Sequence, residues 1–461
     1  MNVPSRRAFL TAASAASLTA ASAASYMRVL GANDRVQVGF IGCGLIGLRH
    51  IADFKQLADA ELAAVCDVYR PRVEYAQAQC GSNPKGYSDF RRLLEDPNVQ
   101  AVVVSTPDHW HALHTMLACA AGKDVYVEKP MTLFVREGRW MTTAARRYNR
   151  IVCVGTQGRS GTHIPDVIAL LRQGVAGKIH SVRFSAYRNI MPGFGRPADG
   201  PPPAGLDYDF WLGPAPARAY NPNRGLYHFR WFWDYSGGQM TNLGAHDMDL
   251  AHFLLGAVAP RGVCSSGGRF ALQDNGETPD TQDAIWEYPG FTVEGSFREA
   301  SGGHRASAGT GSSLGGVQFC GTEGTLVVSR GGYEFVPDMR IAPESAIPQW
   351  STPPGHPKAA DIAPTLYGQP RKGSGDVPEP MIHHARHFLD CVKSRQRPIA
   401  DVEDGHRVSV SCHLANLSLQ LGRKLVWDGE KEEIVGDREA NARLVRPYRQ
   451  PWDDVLRSLN L

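Results

Sequence analysis

From Arg35 onward the chain alternates short apolar runs with amphipathic stretches of helical period. Residues 36–41, 61–66, 101–105, 124–127 and 151–154 are predicted strands. Residues 45–57, 70–79, 109–121 and 134–148 are predicted helices between them. Short β-prone runs alternating with helices of ten or more residues predict a parallel sheet with crossover helices. Ala101-Val102-Val103-Val104 and Ile151-Val152-Cys153-Val154 are apolar at every position, as strands covered on both faces must be.

The pattern changes after about residue 156. Residues 181–187, 283–288, 292–297, 317–320 and 325–329 read as antiparallel strands separated by Gly/Pro-rich connections. Residues 192–206 and 301–316 read as long loops, and 348–380 as Pro-rich irregular surface. Helical periodicity returns over 382–394 and 404–422. No repeat of fixed period is present. The predicted architecture is a doubly wound α/β domain over 34–156, then an α+β domain over 157–461 with a large, mostly antiparallel open sheet.

Composition adds bounds. The 461 residues are 43% hydrophobic and 21% charged, enough for two domains with real cores. Net charge is +3, with basic residues scattered singly, which excludes a nucleic-acid surface. The nine cysteines (43, 66, 80, 119, 153, 264, 320, 391 and 412) form no CxxC pair, so no metal site is expected. An odd, scattered set is also a poor disulfide framework. Residues 1–33 stand apart. Ser5-Arg6-Arg7-Ala8-Phe9-Leu10 leads into an Ala/Ser/Thr stretch with small-residue sites such as Ala21-Ser22-Ala23, the layout of a signal peptide. The paired arginines followed by Phe-Leu resemble a twin-arginine (Tat) export signal. That implies the Tat machinery as a partner and a periplasmic or cell-envelope location. The run is too short and polar to span a membrane.

The strongest chemical signal is Gly42-Cys43-Gly44-Leu45-Ile46-Gly47, directly after the first predicted strand and opening a helix. Gly42 permits a tight turn, Gly44 lets backbone approach a pyrophosphate, and Gly47 allows close helix packing. The phosphates would meet free N–H groups of Gly44, Leu45 and Ile46 at a helix N-terminus. Asp67 ends the next strand, 20 residues past Gly47, where a carboxylate accepts hydrogen bonds from ribose hydroxyls. The first domain is therefore predicted to be a Rossmann NAD(P)-binding domain. Asp67 favours NAD. Arg70 and Arg72 stand close enough to offset its charge, which keeps NADP open.

Ser105-Thr106-Pro107-Asp108-His109-Trp110-His111 follows one strand, and Glu128-Lys129-Pro130 follows the next. With the glycine loop, these segments resemble the glucose-fructose oxidoreductase / inositol dehydrogenase / rhizopine-catabolism (Gfo/Idh/MocA) family. The likeness runs over nearly all of the chain after the N-terminal segment, including the turn Gly321-Thr322-Glu323-Gly324. It implies a nicotinamide-dependent oxidoreductase with Thr106, Pro107, His109, Glu128, Lys129 and Gln157 around the cofactor. It also implies a cis Lys129–Pro130 peptide. The residues agree with that reading. Both motifs lie just past carboxyl ends of parallel strands, where open α/β sheets bind ligands. A lysine at that rim can bond a substrate hydroxyl and favour the developing alkoxide.

Asn242-Leu243-Gly244-Ala245-His246 matches the family's substrate-side motif, usually Asp-x-Gly-x-His. Asn242 and His246 are four apart, on one face of a predicted helix. His246 suits proton transfer near neutrality, and by resemblance it takes the hydroxyl proton. Asn242 carries no charge to raise the basicity of His246; Asp249, three residues beyond, is either the replacement carboxylate or an outer-face charge. Tyr227-His228-Phe229-Arg230-Trp231-Phe232-Trp233-Asp234-Tyr235 is either a sugar-stacking wall or an aromatic core segment. In the first case Trp231 stacks on sugar while His228, Arg230 and Asp234 bind hydroxyls. Arg159 is a further candidate for substrate, or a plain interdomain turn.

Three functions are weighed. The leading one is NAD(P)-dependent oxidation or reduction of a ring hydroxyl of a small-molecule sugar, glycoside or polyol, with Lys129, His246 and Asn242 as the catalytic set. The second is a redox-neutral, NAD-dependent glycosidase that oxidises its sugar transiently, with cofactor held tightly. The third is a non-catalytic sugar-binding protein, against which intact Lys129 and His246 argue. The open sheet implied by the resemblance suggests a homo-oligomer.

Overall fold

The computed structural model describes residues 35–300, 316–340, 354–355, 365–375 and 380–461. The twin-arginine segment, nearly all of the stretch 301–316 expected to be a loop and most of the Pro-rich stretch lie outside the described residues.

The first unit runs β1 (Val36–Ile41), α1 (Leu45–Lys55), β2 (Ala60–Cys66), α2 (Arg70–Cys80), β3 (Lys85–Tyr87), α3 (Phe90–Glu95), β4 (Ala101–Val104), α4 (Asp108–Ala120), β5 (Asp124–Glu128), α5 (Val135–Arg147) and β6 (Val152–Gly155). The six strands pair in parallel in the order β3-β2-β1-β4-β5-β6. The order reverses at β1. There the loops after β1 and β4 diverge and leave a crevice at their carboxyl ends, the ligand position of doubly wound sheets. The all-apolar β4 is buried at every residue, as its sequence demands.

The second unit begins with a 3-10 turn (Gln157–Ser160), α6 (Ile164–Arg172), β7 (Ile179–Tyr187), α7 (Tyr208–Leu212), α8 (Gly238–Asn242) and α9 (Gly244–Leu255). Strands follow as β8 (Gly262–Gly268), β9 (Thr281–Tyr288), β10 (Phe291–Arg298), β11 (Val317–Gly321), β12 (Gly324–Ser329) and β13 (Gly332–Pro337). After the two-residue strands β14 (Met339–Arg340) and β15 (Thr365–Leu366) come β16 (Arg371–Ser374), α10 (Pro380–Ser394), α11 (Val402–Leu421), β17 (Leu425–Asp428) and β18 (Glu433–Ile434). Ten of these strands form one sheet, β16-β13-β12-β11-β7-β10-β9-β8-β17-β18. It is antiparallel except where β10 pairs in parallel with β7. The alternating burial of β9, with Trp286 and Tyr288 turned inward, shows one face covered by helices.

The C-terminal helices do not stay with that sheet. Phe388 and Leu389 of α10 join the core under β1 and α1. Val402 of α11, and Tyr448 and Trp452 near the C-terminus, join the core around α4. That extra cover explains why α4 is buried on almost every side. Among the described residues no helix is long and apolar enough to cross a membrane, and no cluster of three or more His, Cys, Asp or Glu could hold a metal ion.

Candidate active site

The crevice at β1 opens into a cavity of about 510 Å³ that runs from the glycine loop to α8 and α9. Its floor is set by glycines. Gly42 has φ +93°, and a Cβ there would lie 2.7 Å from the Ser105 and Thr106 backbone. A Cβ on Gly47 would lie 2.0 Å from the Gly42 oxygen, so Gly47 packs beneath the loop and does not line the cavity. Gly44 differs. Only the Arg72 guanidinium lies within 4 Å of its Cβ position, at 3.5 Å. Gly44 caps α1 with no side-chain acceptor, so the first N–H groups of that helix are free for an anion. Leu45 and Ile46 line the cavity beside it, Leu45 with 73% of its surface exposed.

Asp67 sits just past β2. Its Oδ2 accepts from the Cys43 N–H at 2.8 Å and its Oδ1 from the Tyr69 N–H at 2.9 Å. Each oxygen keeps a second lone pair for a ligand hydroxyl. Burial raises its carboxyl above the usual range, opposed by Arg72. Arg70 does not join the site. Its side chain is 80% exposed and pairs with Glu74 at 2.8 Å, one turn along α2. Arg72 lines the cavity in its place and donates to the Leu226 oxygen at 3.3 Å. The segment around 205–230 is strapped over this corner, with Arg70 N bonded to Gly205 O and Val68 O to Asp207 N, both at 3.0 Å. A glycine cradle, open helix N–H groups and an acceptor carboxylate fit a dinucleotide.

Thr106 and Pro107 line the cavity after β4. His109 does not. It is buried behind the wall, where its Nε2 meets the Trp211 oxygen at 3.0 Å and Tyr235 packs on its ring. His111, two residues on, faces inward and bridges the carbonyl oxygens of Thr106 and Pro130 at 2.7 Å each. It thereby ties together the two strand-end loops.

Glu128 and Lys129 close β5, and the Lys129–Pro130 peptide is cis. Glu128 is buried, with Oε1 facing His50 Nε2 and accepting from Gln157 Nε2, both at 2.8 Å. Burial pushes its carboxyl up, but His50, Lys129 and His111 outweigh that and hold it below the usual range. Lys129 Nζ donates to the Asn242 backbone oxygen at 2.9 Å and to its Oδ1 at 3.0 Å. Burial, helped by Arg230 and Arg330, brings the Lys129 ammonium down to about 8 against the pull of Glu128 and Asp108.

His246 and Asn242 both line the cavity. The single helix expected there is two, α8 and α9, with Leu243 in a turn between them; the His246 N–H reaches only three residues back, to the Leu243 oxygen at 3.0 Å. Burial, Lys129 and Arg330 hold the His246 imidazole well below its ordinary value, so it is neutral at pH 7 and, contrary to the expectation from its residue type, does not titrate near neutrality. Asp249 does not support it. Asp249 forms a buried ion pair with Arg159 at 2.8 Å, since a buried carboxylate must find a cation. Arg159 also donates to the Ile399 oxygen at 2.6 Å. It is a tie to the α10–α11 connection, outside the cavity.

The aromatic segment divides. His228 packs on Phe194 with ring centroids 3.9 Å apart, and Trp231 is buried and stacks on the same ring. Asp234 pairs with Arg218 and Arg446. Trp231 belongs to a satellite core with Phe229, Phe232 and Tyr235, while Tyr227, Phe229 and Arg230 line the cavity. Asp108 and Arg330 are among the lining residues that were given no role from the sequence. Asp108 had a signal, its place in the first turn after β4. Arg330 had none.

A family model described as "Oxidoreductase family, NAD-binding Rossmann fold" matches residues 36–156, and its companion "Oxidoreductase family, C-terminal alpha/beta domain" matches 191–263 and 370–454, together more than half of the chain. The chain is 28% identical over 251 residues to a myo-inositol 2-dehydrogenase of Thermotoga maritima, covering 54% of this chain and 64% of that protein. It is 31% identical over 154 residues to a glycosyl hydrolase family 109 protein of Shewanella sp. (strain W3-18-1), covering 32% of this chain and 34% of that one. The chain thus spans less than two thirds of either relative. A levoglucosan dehydrogenase solved with NADH and L-sorbose superposes with a TM-score of 0.62 at 17% identity, covering 85% of this chain and 99% of that one. That likeness shows the fold.

Proposed function

The chain belongs to the Gfo/Idh/MocA oxidoreductase family, and from that premise we propose that it oxidises or reduces a ring hydroxyl of a sugar, glycoside or polyol with NAD(P). The dinucleotide, when bound, supplies the hydride acceptor or donor. Gly42, Gly44, Leu45, Ile46 and Asp67 would hold its adenosine and phosphates, and Thr106, Pro107, Glu128 and Gln157 its other half. Lys129, protonated below about pH 8, bonds the substrate hydroxyl and favours the alkoxide. His246 takes the proton in oxidation and returns it in reduction. Asn242 holds the Lys129 ammonium in place.

The observation that carries this reading is the convergence of Lys129, Asn242 and His246 on one cavity that also holds the glycine loop and Asp67. The test is Lys129→Met. It should abolish turnover while acid-released nucleotide stays at the wild-type amount; unchanged turnover removes Lys129 from the mechanism.

Asp67 favours NAD over NADP, because a 2′-phosphate would face its carboxylate; Arg70 is turned away, but Arg72 lines the cavity beside Asp67 and keeps NADP open. The strap at 205–230 supports tight retention of the nucleotide. The likeness to glycosyl hydrolase family 109 proteins favours a second reading, redox-neutral glycoside cleavage with a captive cofactor. The Arg6-Arg7-Ala8-Phe9-Leu10 order supports Tat export to the periplasm or cell envelope, where free nucleotide is scarce and a captive cofactor is useful. The uncovered face of the ten-stranded sheet, with Ile285 and Val426 each 49% exposed, supports a homo-oligomer.

A further inference from the structure

The contacts of Lys129 continue behind Asn242. Asn242 Oδ1 accepts from Lys129 Nζ at 3.0 Å, and its Nδ2 donates to Gln239 Oε1 at 3.1 Å. Both amides stand on α8 at a spacing that puts them on one face. Gln239 Nε2 donates in turn to Glu299 Oε1 at 2.6 Å. Gln239 is 3% exposed and Glu299 2%, and neither lines the cavity.

Glu299 is fixed by the large sheet. β10 and β7 pair in parallel, with Arg298 opposite Tyr187, so Glu299 and Arg188 leave the two strands side by side. Arg188 Nε and Nη2 donate to the two carboxylate oxygens at 2.5 and 2.7 Å, a fork that matches an ionised acid. The Glu299 N–H donates to the Asp280 oxygen, and the Glu299 backbone oxygen accepts from the Ile190 N–H, both at 2.8 Å.

This relay has one polarity. Lys129 and Arg188 only donate, so the groups facing them must accept. An amide that accepts on one side donates on the other. One of the side chains at 242, 239 and 299 must therefore accept on both sides, and a carboxylate does so without mismatch. A second carboxylate, at 242, would leave the Gln239 oxygen facing an acceptor whichever way that amide turned. The motif from which Asn242 departs carries its acid at that position. Here the acid stands at 299.

We propose that Gln239 and Glu299 are positioning residues for Lys129, with Glu299 supplying from two side chains away the carboxylate that Asn242 lacks. This rests on the role given to Lys129 above. Glu128 and Asp108 also draw on the Lys129 charge, and Arg230, Arg330 and His246 face it; the variants below alter none of these.

The test is a double-mutant cycle between 242 and 299, read by thermal denaturation of the full-length protein. Asn242→Asp should lower the midpoint when Glu299 is present. In a Glu299→Gln background it should lower the midpoint less, or raise it, because one carboxylate again completes the relay. Additive midpoints overturn the proposal. So does a coupling that persists in Gln239→Met, since repulsion between the two acids through space does not need Gln239. Should Glu299→Gln not fold, recovery of folded protein on adding Asn242→Asp supports the relay, and no recovery overturns it. Turnover gives the second readout. Its alkaline fall should move to lower pH by roughly half a unit in Glu299→Gln, as an acceptor that favours the ammonium is weakened. A fall left at the wild-type pH reduces Glu299 to a tie between the sheet and α8 and overturns the proposal. The denaturation cycle needs no turnover, so an inactive wild-type protein counts against the oxidoreductase reading alone.

Discussion

Lys129 Nζ donates to both the backbone oxygen and the side-chain Oδ1 of Asn242, at 2.9 and 3.0 Å. The direction of that amide is set from behind. Asn242 Nδ2 donates to Gln239 Oε1 at 3.1 Å, and Gln239 Nε2 donates to Glu299 Oε1 at 2.6 Å. Arg188 fixes Glu299 with two further bonds, at 2.5 and 2.7 Å. An ionised carboxylate only accepts, so each amide must turn its NH₂ toward Glu299 and its oxygen toward Lys129. A buried acid two side chains away therefore orients the acceptor that holds the Lys129 ammonium.

The pH profile follows from Lys129. Burial lowers its ammonium from 10.5 to about 8, so the charged form is complete well below pH 8 and is lost as pH rises through it. Turnover should be flat near neutrality and fall above about pH 8. His246, held well below its ordinary value, adds no acid limb near neutrality. Asn242→Asp places a charge on Lys129 and should move the alkaline fall up by about 1–3 units. Activity that instead rises through pH 8 would make the neutral amine a base and reverse the assignment.

The glycine loop separates fold from ligand. Gly47→Ala drives a Cβ to within 2.0 Å of the Gly42 oxygen and should cost at least about 1–3 kcal/mol of stability by overpacking. Gly44→Ala meets nothing within 4 Å but the Arg72 guanidinium. Its thermal midpoint should stay near wild type while bound nucleotide is lost, as acid release followed by chromatography will show.

Most of the first domain is legible because its strands are apolar throughout and its chemistry sits at strand ends. β3, Lys85-Gly86-Tyr87, is exposed or half-exposed at each position and leaves no hydrophobic signature. The site was readable where motif residues are local, as in the glycine loop and Glu128-Lys129-Pro130. It was not readable where facing depends on tertiary packing. His109 and His111 are two apart on a helix and cannot share a face; which one turns inward is decided by Trp211, far along the chain. Arg159 finds Asp249 across 90 residues, and no local pattern announces such a pair. Arg330 arrives from a hairpin turn of the second sheet.

Asp67 should decide the nucleotide. Asp67→Asn removes a charged acceptor and should weaken NAD by about 10- to 100-fold, the scale of 1.5–3 kcal/mol for a hydrogen bond to a charged group. The preference over NADP should narrow with it. Arg70→Ala should change neither, because Arg70 is committed to Glu74. Titration of nucleotide-stripped protein measures all three.

Arg159 should matter for stability and not for substrate. Arg159→Met leaves Asp249 buried without its cation and should cost about 3–5 kcal/mol in chemical denaturation. KM for any sugar turned over should stay unchanged. Weakened substrate binding at full stability would return Arg159 to the site.

The most direct measurement is a single-turnover one. The protein is purified without added nucleotide and mixed with a panel of sugars, sugar acids and glycosides while near-ultraviolet absorbance is recorded. The expected result is a lasting rise of reduced-nicotinamide absorbance with one of them, absent in Lys129→Met. No rise with any, although acid release finds nucleotide on the protein, would contradict a dehydrogenase half-reaction.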